Sequence, residues 1–170
     1  MANTFIPIST IEVGSGGQSS LTFNSIAGTY SDLAILLSCR SDQSYIADEF
    51  YVEVNSSASN FIWSRVYGLG STTTAANTGS TNLVGAANGA NSTSSIFSNA
   101  LIYIPSYANS SYHKTFLNNS VVENNAARGD NYGYATRWTI NDAITSIVLK
   151  PTAGNWVQHS TATLYGISNS

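Results

Sequence analysis

The sequence predicts an all-β protein, an antiparallel β-sandwich of the jelly-roll type with eight to ten strands and little helix. Apolar residues recur at every second position in many short segments, and Gly, Asn, Ser or Pro separate these segments. No stretch of ten or more residues shows helical periodicity. Many short strands with turn residues between them are typical of sandwiches and jelly rolls. We expect one sandwich domain over residues 13–170, preceded by an extended N-terminal arm over residues 1–12.

The strand predictions follow from the alternation in each segment. Residues 32–40 are apolar on both strand faces, which predicts a central strand. In residues 49–55, Phe50, Val52 and Val54 alternate with more polar side chains, which predicts a strand with one buried face. The other predicted strands cover residues 6–13, 19–23, 61–69, 96–104, 114–122, 132–140, 144–150 and 160–167.

Residues 70–95 interrupt this rhythm with a long run of small, almost uncharged side chains. We predict a long loop here, and loops of more than about 12–15 residues are usually functional or disordered. Two interpretations stand beside each other: a surface that packs against a neighbouring subunit, and an insertion without a role. Residues 82–85 are a candidate for a short edge strand, and Leu83 and Val84 are candidate subunit or capsid contacts.

Charge excludes several classes of partner. Only 9% of the residues are charged, the net charge is −3, and the six Lys and Arg residues are scattered. Nucleic-acid binding requires several phosphates to be neutralised, so we expect no nucleic-acid partner. The sequence has no apolar stretch of membrane-spanning length, so we expect no membrane partner. The first residues lack the pattern of a signal peptide, which predicts synthesis in a cytoplasm.

No arrangement of side chains predicts catalysis, and we expect no enzyme activity, cofactor or metal requirement. Glu49 and Glu53 share a strand face, as an acid/base pair would, but solvent-facing glutamates produce the same pattern. His113 and His159 have no second histidine or cysteine at metal-ligand spacing.

One cluster of acidic residues leaves a calcium site open as an alternative. Asp42, Asp48 and Glu49 flank a predicted loop, and carboxylates clustered on a loop are ligands that calcium accepts. Their spacing is not that of a dedicated calcium loop, so the pattern also fits ordinary surface carboxylates.

Aromatic residues are the candidate binding groups. Trp156 follows Gly and Asn in a predicted turn, and Tyr132 and Tyr134 lie in a segment rich in Gly and polar residues. Such rings either stack on a sugar, fill a partner's pocket or cover the end of the sandwich. The sequence predicts these three as surface-binding aromatics.

Several stretches resemble small virion structural proteins of tailed bacteriophages. These stretches are TYSDLAILLSCRS (29–41), ALIYIPSYANSSYHKTF (100–116), SVVENNAA (120–127) and AITSIVLKPTAGNWVQHSTATLYGI (143–167). The resemblance implies a β-sandwich or jelly-roll module on a phage particle. Similar modules occur in capsid decoration proteins, fibres and tail-tip proteins, so the resemblance does not choose among these positions.

The favoured function is a capsid decoration, or cement, protein on the virion surface. It is expected to form a homo-oligomer, a trimer in the first instance, and to bridge subunits of the major capsid protein. Phe5, Ile6 and Ile8 in the predicted arm are the candidate contacts, because an apolar end needs a surface that buries it. The alternative is a carbohydrate- or receptor-binding module of a tail or head fibre, with a host surface glycan as ligand. A glycan hydrolase is a more distant third.

Overall fold

The computed structural model describes residues 4–70, 72–123 and 129–168, and the backbone alone for residues 72–77. All regular structure in these residues is β-strand, and the strands form two antiparallel sheets. The prediction of an all-β antiparallel sandwich is therefore confirmed, whereas the jelly-roll type stays a prediction. No helix in the described part of the chain is long and apolar enough to cross a membrane.

Twelve strands are present in the described residues, two more than the upper prediction. They are β1 (Phe5–Glu12), β2 (Leu21–Phe23), β3 (Asp32–Cys39), β4 (Ala47–Val54), β5 (Phe61–Leu69), β6 (Thr72–Gly79), β7 (Leu83–Asn88), β8 (Ser98–Pro105), β9 (Lys114–Glu123), β10 (Gly129–Trp138), β11 (Ile147–Pro151) and β12 (Thr161–Ile167). The larger sheet has the order β1-β12-β3-β8-β9-β10-β5-β6, and the smaller sheet has the order β2-β11-β4-β7.

Strand alternation produces the core. The larger hydrophobic cluster includes Phe50 of β4, and the smaller one includes Tyr134 of β10. Strand β7 contributes Val84 to the larger cluster and Leu83 and Ala86 to the smaller one, so both of its faces are covered. Because burial of apolar groups on both of its faces is favourable, β7 is held at the edge of the smaller sheet.

The strand predicted over residues 6–13 is confirmed by β1, whereas the prediction that residues 1–12 precede the sandwich as a separate arm is wrong for the described residues. Strand β1 forms an edge of the larger sheet, where its backbone pairs with β12 from Phe5 to Glu12. Ile6 is half-buried, and Ile8 packs against the main core. Phe5 is 56% exposed and contacts the ring of Tyr165 edge-on. The protein's own sheet therefore pairs the backbone of this segment and partly buries Ile6 and Ile8 without a neighbouring subunit.

The predicted loop at 70–95 is also wrong, because this segment contains β6 and β7. Leu83 and Val84 are buried at 8% and 0% exposure, so neither is available as a subunit contact. The small residues that suggested a loop are required by packing, since the Phe50 ring occupies the space where Gly85 would carry a side chain. The edge-strand prediction for residues 82–85 is confirmed by β7.

A buried arginine holds the segment that follows β7. The guanidinium of Arg40 donates to the carbonyls of Ala90, Ser92, Thr93 and Ile96 and to the Ser92 hydroxyl, at 2.7–3.1 Å. Burial lowers the pKa of Arg40, and the nearby Glu123 carboxylate opposes this shift. These bonds fold residues 90–96 onto the end of the sandwich beside β4, where the candidate site lies.

Candidate functional site

A cleft opens where the ends of β5 and β10 approach β4. It has a volume of about 340 Å3, within the range of about 300–1,000 Å3 common for small-molecule sites. Its lining combines tyrosines, one arginine, two carboxylates and a hydroxyl, and we name it the tyrosine cleft. The lining residues are Tyr45, Ala47, Asp48, Glu49, Arg65, Tyr67, Tyr132 and Thr152.

Arg65 is the centre of one wall of the tyrosine cleft. Its guanidinium forms an ion pair with Glu49 and donates to the Tyr134 hydroxyl, and that hydroxyl donates to Glu49. The guanidinium carbon lies 5.0 Å from the Tyr67 ring centre and 5.5 Å from the Trp63 ring centre. Cation–π contacts and a paired carboxylate fix the arginine and neutralise its charge.

Strand register builds this wall. In the β5–β10 pairing, Tyr67 lies opposite Tyr132 and Arg65 lies opposite Tyr134. The Tyr67 and Tyr132 rings stack with centres 5.6 Å apart and planes within 13° of parallel. Burial raises the pKa of the Tyr134 hydroxyl, and the Arg65 charge opposes that rise. Tyr134 therefore stays a neutral hydrogen-bond donor at physiological pH.

Asp48 supplies a buried carboxyl to the cleft. Its side chain is 2% exposed, and Oδ1 accepts a hydrogen bond from the Thr152 hydroxyl at 2.5 Å. Burial raises the pKa of Asp48, an effect that the Thr152 and Ser41 hydroxyls oppose. The Ser41 hydroxyl therefore lies close to the Asp48 carboxyl.

Replacing Asp48 by Asn is expected to change how stability depends on pH. A carboxyl whose folded-state pKa is raised stabilises the fold below its unfolded pKa, near 3.8, and that contribution is lost as the pH rises through the folded value. Asn keeps an acceptor for Thr152 and has no charge to desolvate. The unfolding free energy of Asp48→Asn, relative to the natural chain, should therefore increase from acid to neutral pH. Urea unfolding across this pH range measures it, with Asp142→Asn at an exposed site as the control. Parallel pH profiles for the natural chain and Asp48→Asn would contradict this expectation.

The sequence-predicted aromatics divide between the core and the cleft. Trp156 is 0% exposed, so its prediction as a surface-binding ring is wrong: its indole N–H donates to the Leu149 carbonyl, and its ring contacts Phe50 edge-on. Tyr134 is 1% exposed and is likewise no surface platform. Tyr132 does line the cleft, although it is only 9% exposed.

Five cleft residues were not predicted from the sequence: Tyr45, Ala47, Arg65, Tyr67 and Thr152. Arg65 and Tyr67 are two positions apart on β5 and therefore share one face of the strand. The sequence alone could have predicted that these two side chains lie side by side. Tyr45 lies in a polar loop and Thr152 follows β11, so nothing local distinguishes them from other surface residues.

The three acidic residues considered as calcium ligands do not point toward a common position. Asp42 accepts from the backbone and side-chain amides of Asn155, at 2.9 and 3.2 Å. Glu49 pairs with Arg65, and Asp48 bonds to Thr152. Among the described residues, no group of three His, Cys, Asp or Glu side chains is placed to hold a metal ion. The arrangement therefore gives the calcium alternative no support.

A second feature is the solvent face of the larger sheet, which we name the outer face. Leu36 of β3 lies opposite Leu101 of β8, Leu101 lies opposite Asn119 of β9, and Gly133 of β10 lies opposite Val66 of β5. The large apolar side chains of this face are between 41% and 62% exposed. They are Leu36, Ile62, Val66, Leu101, Leu117 and Val121.

The centre of the outer face carries no charge. Strands β12, β3, β8, β9, β10 and β5 are all among the described residues, and Asp32, Glu123 and Arg137 are the charged residues that share the outward alternation. All three lie at or near strand ends. At the centre, the outward residues between the aliphatic groups carry amides, hydroxyls or small side chains. A contiguous apolar surface with a polar rim is typical of protein interaction sites.

These features define a β-sandwich with two candidate binding surfaces, a cleft lined by polar and aromatic residues and an aliphatic sheet face. No protein-family model, curated protein or solved structure matches the chain.

Proposed function

We propose that the chain is a virion structural protein of a tailed bacteriophage, a capsid decoration protein that assembles with copies of itself on the particle surface. The observation that carries this proposal is the uncharged aliphatic outer face. The all-β fold and the resemblance of four sequence stretches to small virion proteins support the same class. A chain with 9% charged residues has few ions to desolvate when its surface is covered by another subunit.

The outer face has the area that a specific interface needs. Six neighbouring strands about 4.8 Å apart, with about seven residues of each at about 3.4 Å, cover roughly 600 Å2. Specific interfaces bury about 600–1,000 Å2 on each partner, so the face reaches the lower end of that range. Six exposed aliphatic side chains would then be removed from water, a favourable step at roughly 25 cal/mol per Å2 before the cost of association.

A second copy of this chain is the occupant that we propose for the outer face. Two copies of an uncharged face do not repel each other, and the Asn side chains between the aliphatic groups offer both donors and acceptors to a like surface. Burial of the outer face by a second copy also explains why Leu101 and Leu117 are exposed in a single subunit. The major capsid protein would contact other parts of the surface.

Lysine at the centre of the outer face tests self-association. Leu101→Lys should leave the fold intact, because residue 101 is 44% exposed, and should weaken association by at least about tenfold through burial of an unpaired charge. Ile96→Lys is the matched control, since Ile96 is 41% exposed and lies outside the outer face. Sedimentation velocity over a concentration series measures both variants and gives the number of subunits, which is two if two outer faces pack on each other and three for the trimer predicted from the sequence.

A natural chain that stays monomeric at the highest concentrations reached would overturn self-association through the outer face. The virion assignment has its own test, immunogold labelling of phage particles with an antibody against the purified protein. Label on the heads is the expected result. Label on the tail or fibres supports the alternative receptor-binding module, and particles without label contradict both.

A further inference from the structure

The tyrosine cleft contains a buried polar atom that the described residues leave without a partner. Arg65 Nε is buried and has no hydrogen-bond partner among the described residues, and Arg65 lines the cleft with the carboxyls of Asp48 and Glu49. Buried polar groups are nearly always hydrogen-bonded, and an exception indicates a water or ligand that completes the site. Arg65 Nε is a donor and the carboxyl oxygens are acceptors, so a matching ligand must offer both kinds of group.

The charges in the cleft favour an uncharged ligand. Arg65 is already paired with Glu49, and its guanidinium lies against tyrosine and tryptophan rings. An anionic ligand would have to compete with Glu49 for this cation, and a cationic ligand would have to compete with Arg65 for Glu49. The Asp48 carboxyl attracts a cation less than an ordinary carboxylate does, because burial raises its pKa. Neutral hydroxyl groups can bond to the free positions of both without breaking the pair.

An exposed aromatic ring stands at the mouth of the cleft. Tyr45 is 61% exposed, and its loop is fixed rather than loose, because the Asn91 amide donates to the Tyr45 carbonyl and the Ala90 amide donates to the Gln43 carbonyl. A tyrosine on a hydrogen-bonded loop offers an apolar platform without the cost of ordering the loop backbone. The adjoining Tyr67 and Tyr132 hydroxyls add donors and acceptors to the wall.

We propose that the tyrosine cleft binds a neutral saccharide. A sugar ring presents an apolar C–H face, which suits Tyr45, and hydroxyl groups that both donate and accept, which suit Asp48, Glu49, Arg65 and Thr152. This site differs from the surface-binding aromatics predicted from sequence, since Trp156 is in the core. It is also separate from the outer face, because Arg65 and Tyr67 alternate with the outward-facing Val66 on β5. A subunit can therefore use both surfaces at once.

An array of neutral and anionic oligosaccharides, followed by titration of the best neutral ligand, tests the proposal with the full chain. Tyr45→Ala should weaken that binding about tenfold, through loss of the aromatic platform. Tyr112→Ala is the matched control, because Tyr112 is also a loop tyrosine, is 66% exposed and lies outside the cleft. Asp48→Asn should weaken binding as well, since an amide replaces a carboxyl oxygen by a donor.

The outcomes separate this proposal from the virion assignment. Binding of a neutral saccharide that Tyr45→Ala weakens and Tyr112→Ala and Leu101→Lys preserve supports the cleft. Absence of binding to every neutral glycan, binding of anionic glycans alone, or equal loss in both tyrosine variants overturns it. None of these results depends on whether the outer face mediates self-association, which the Leu101→Lys sedimentation experiment decides by itself.

Discussion

Replacement of Trp156 by Ala is expected to lower the free energy of unfolding by about 3–5 kcal/mol, the usual cost of removing a buried tryptophan. The ring is fully buried, contacts Phe50 with centres 5.7 Å apart and donates its N–H to the Leu149 carbonyl at 3.1 Å. Its removal would leave a large cavity in the core and would remove the side-chain hydrogen bond to the Leu149 carbonyl. Urea unfolding followed by circular dichroism measures the loss.

The same variant distinguishes a core role from a binding role. Tyr112→Ala, at a side chain that is 66% exposed, should change stability by less than about 0.5 kcal/mol and serves as the control. If Trp156→Ala unfolds at the same urea concentration as the natural chain, the ring is not part of the core. The prediction of Trp156 as a surface-binding residue would then be supported again.

Trp156 shows why local pattern misassigned a core residue. The sequence places it after Gly154 and Asn155, in a segment with the composition of an exposed turn. Its burial depends on partners far along the chain: the backbone of Trp156 forms isolated bridges with Gln18 and Ser41, which carry the turn into the end of the sandwich. The composition of a segment indicates whether it forms a turn, but it does not indicate which residues that turn packs against.

Regular alternation, in contrast, made most of the fold predictable. Strand β3 was expected to be central, and it pairs with β12 on one side and β8 on the other. Strand β4 alternates between buried and half-buried residues as its sequence indicates. The failures lie where packing overrides composition. Strand β7 consists of small residues because its two faces are both covered, and small residues in sequence also describe a loop.

The tyrosine cleft was the least predictable feature, because distant segments build it. Glu49 and Tyr134, which are hydrogen-bonded, lie 85 residues apart, and Asp48 and Thr152 lie 104 residues apart. The pairing of β5 with β10 and their approach to β4 bring Tyr134 to Glu49, whereas the pairing of β11 with β4 brings Thr152 to Asp48. Glu49 was considered from sequence as half of a carboxylate pair with Glu53. In the structure Glu49 pairs with Arg65 and Glu53 pairs with Lys150, so the two glutamates belong to separate ion pairs.

Gly89→Ala is expected to destabilise the fold by at least about 3 kcal/mol, at the upper end of the cost of overpacking. A methyl group at residue 89 would lie 2.2 Å from the Tyr45 carbonyl oxygen and 2.9 Å from the Gln43 carbonyl oxygen. Both obstacles are backbone atoms, so no side-chain rotation can relieve the overlap. Residues 43–46 and 89–91 must separate instead, and the hydrogen bonds from Gly89 to Ile46 and from Ala90 to Gln43 must lengthen or break.

Gly68→Ala is the matched control for this change, because a methyl group there meets no atom within 4 Å and its stability should stay within about 0.5 kcal/mol of the natural chain. Urea unfolding gives the free energies, and amide hydrogen exchange at Ala90 and Asn91 reports locally whether the two segments have separated. Faster exchange at these amides in Gly89→Ala is expected even where the rest of the sandwich stays protected. Unchanged exchange and stability would show that residues 43–46 are not held against residues 89–91. Tyr45 would then lose the fixed position on which its role at the mouth of the cleft depends.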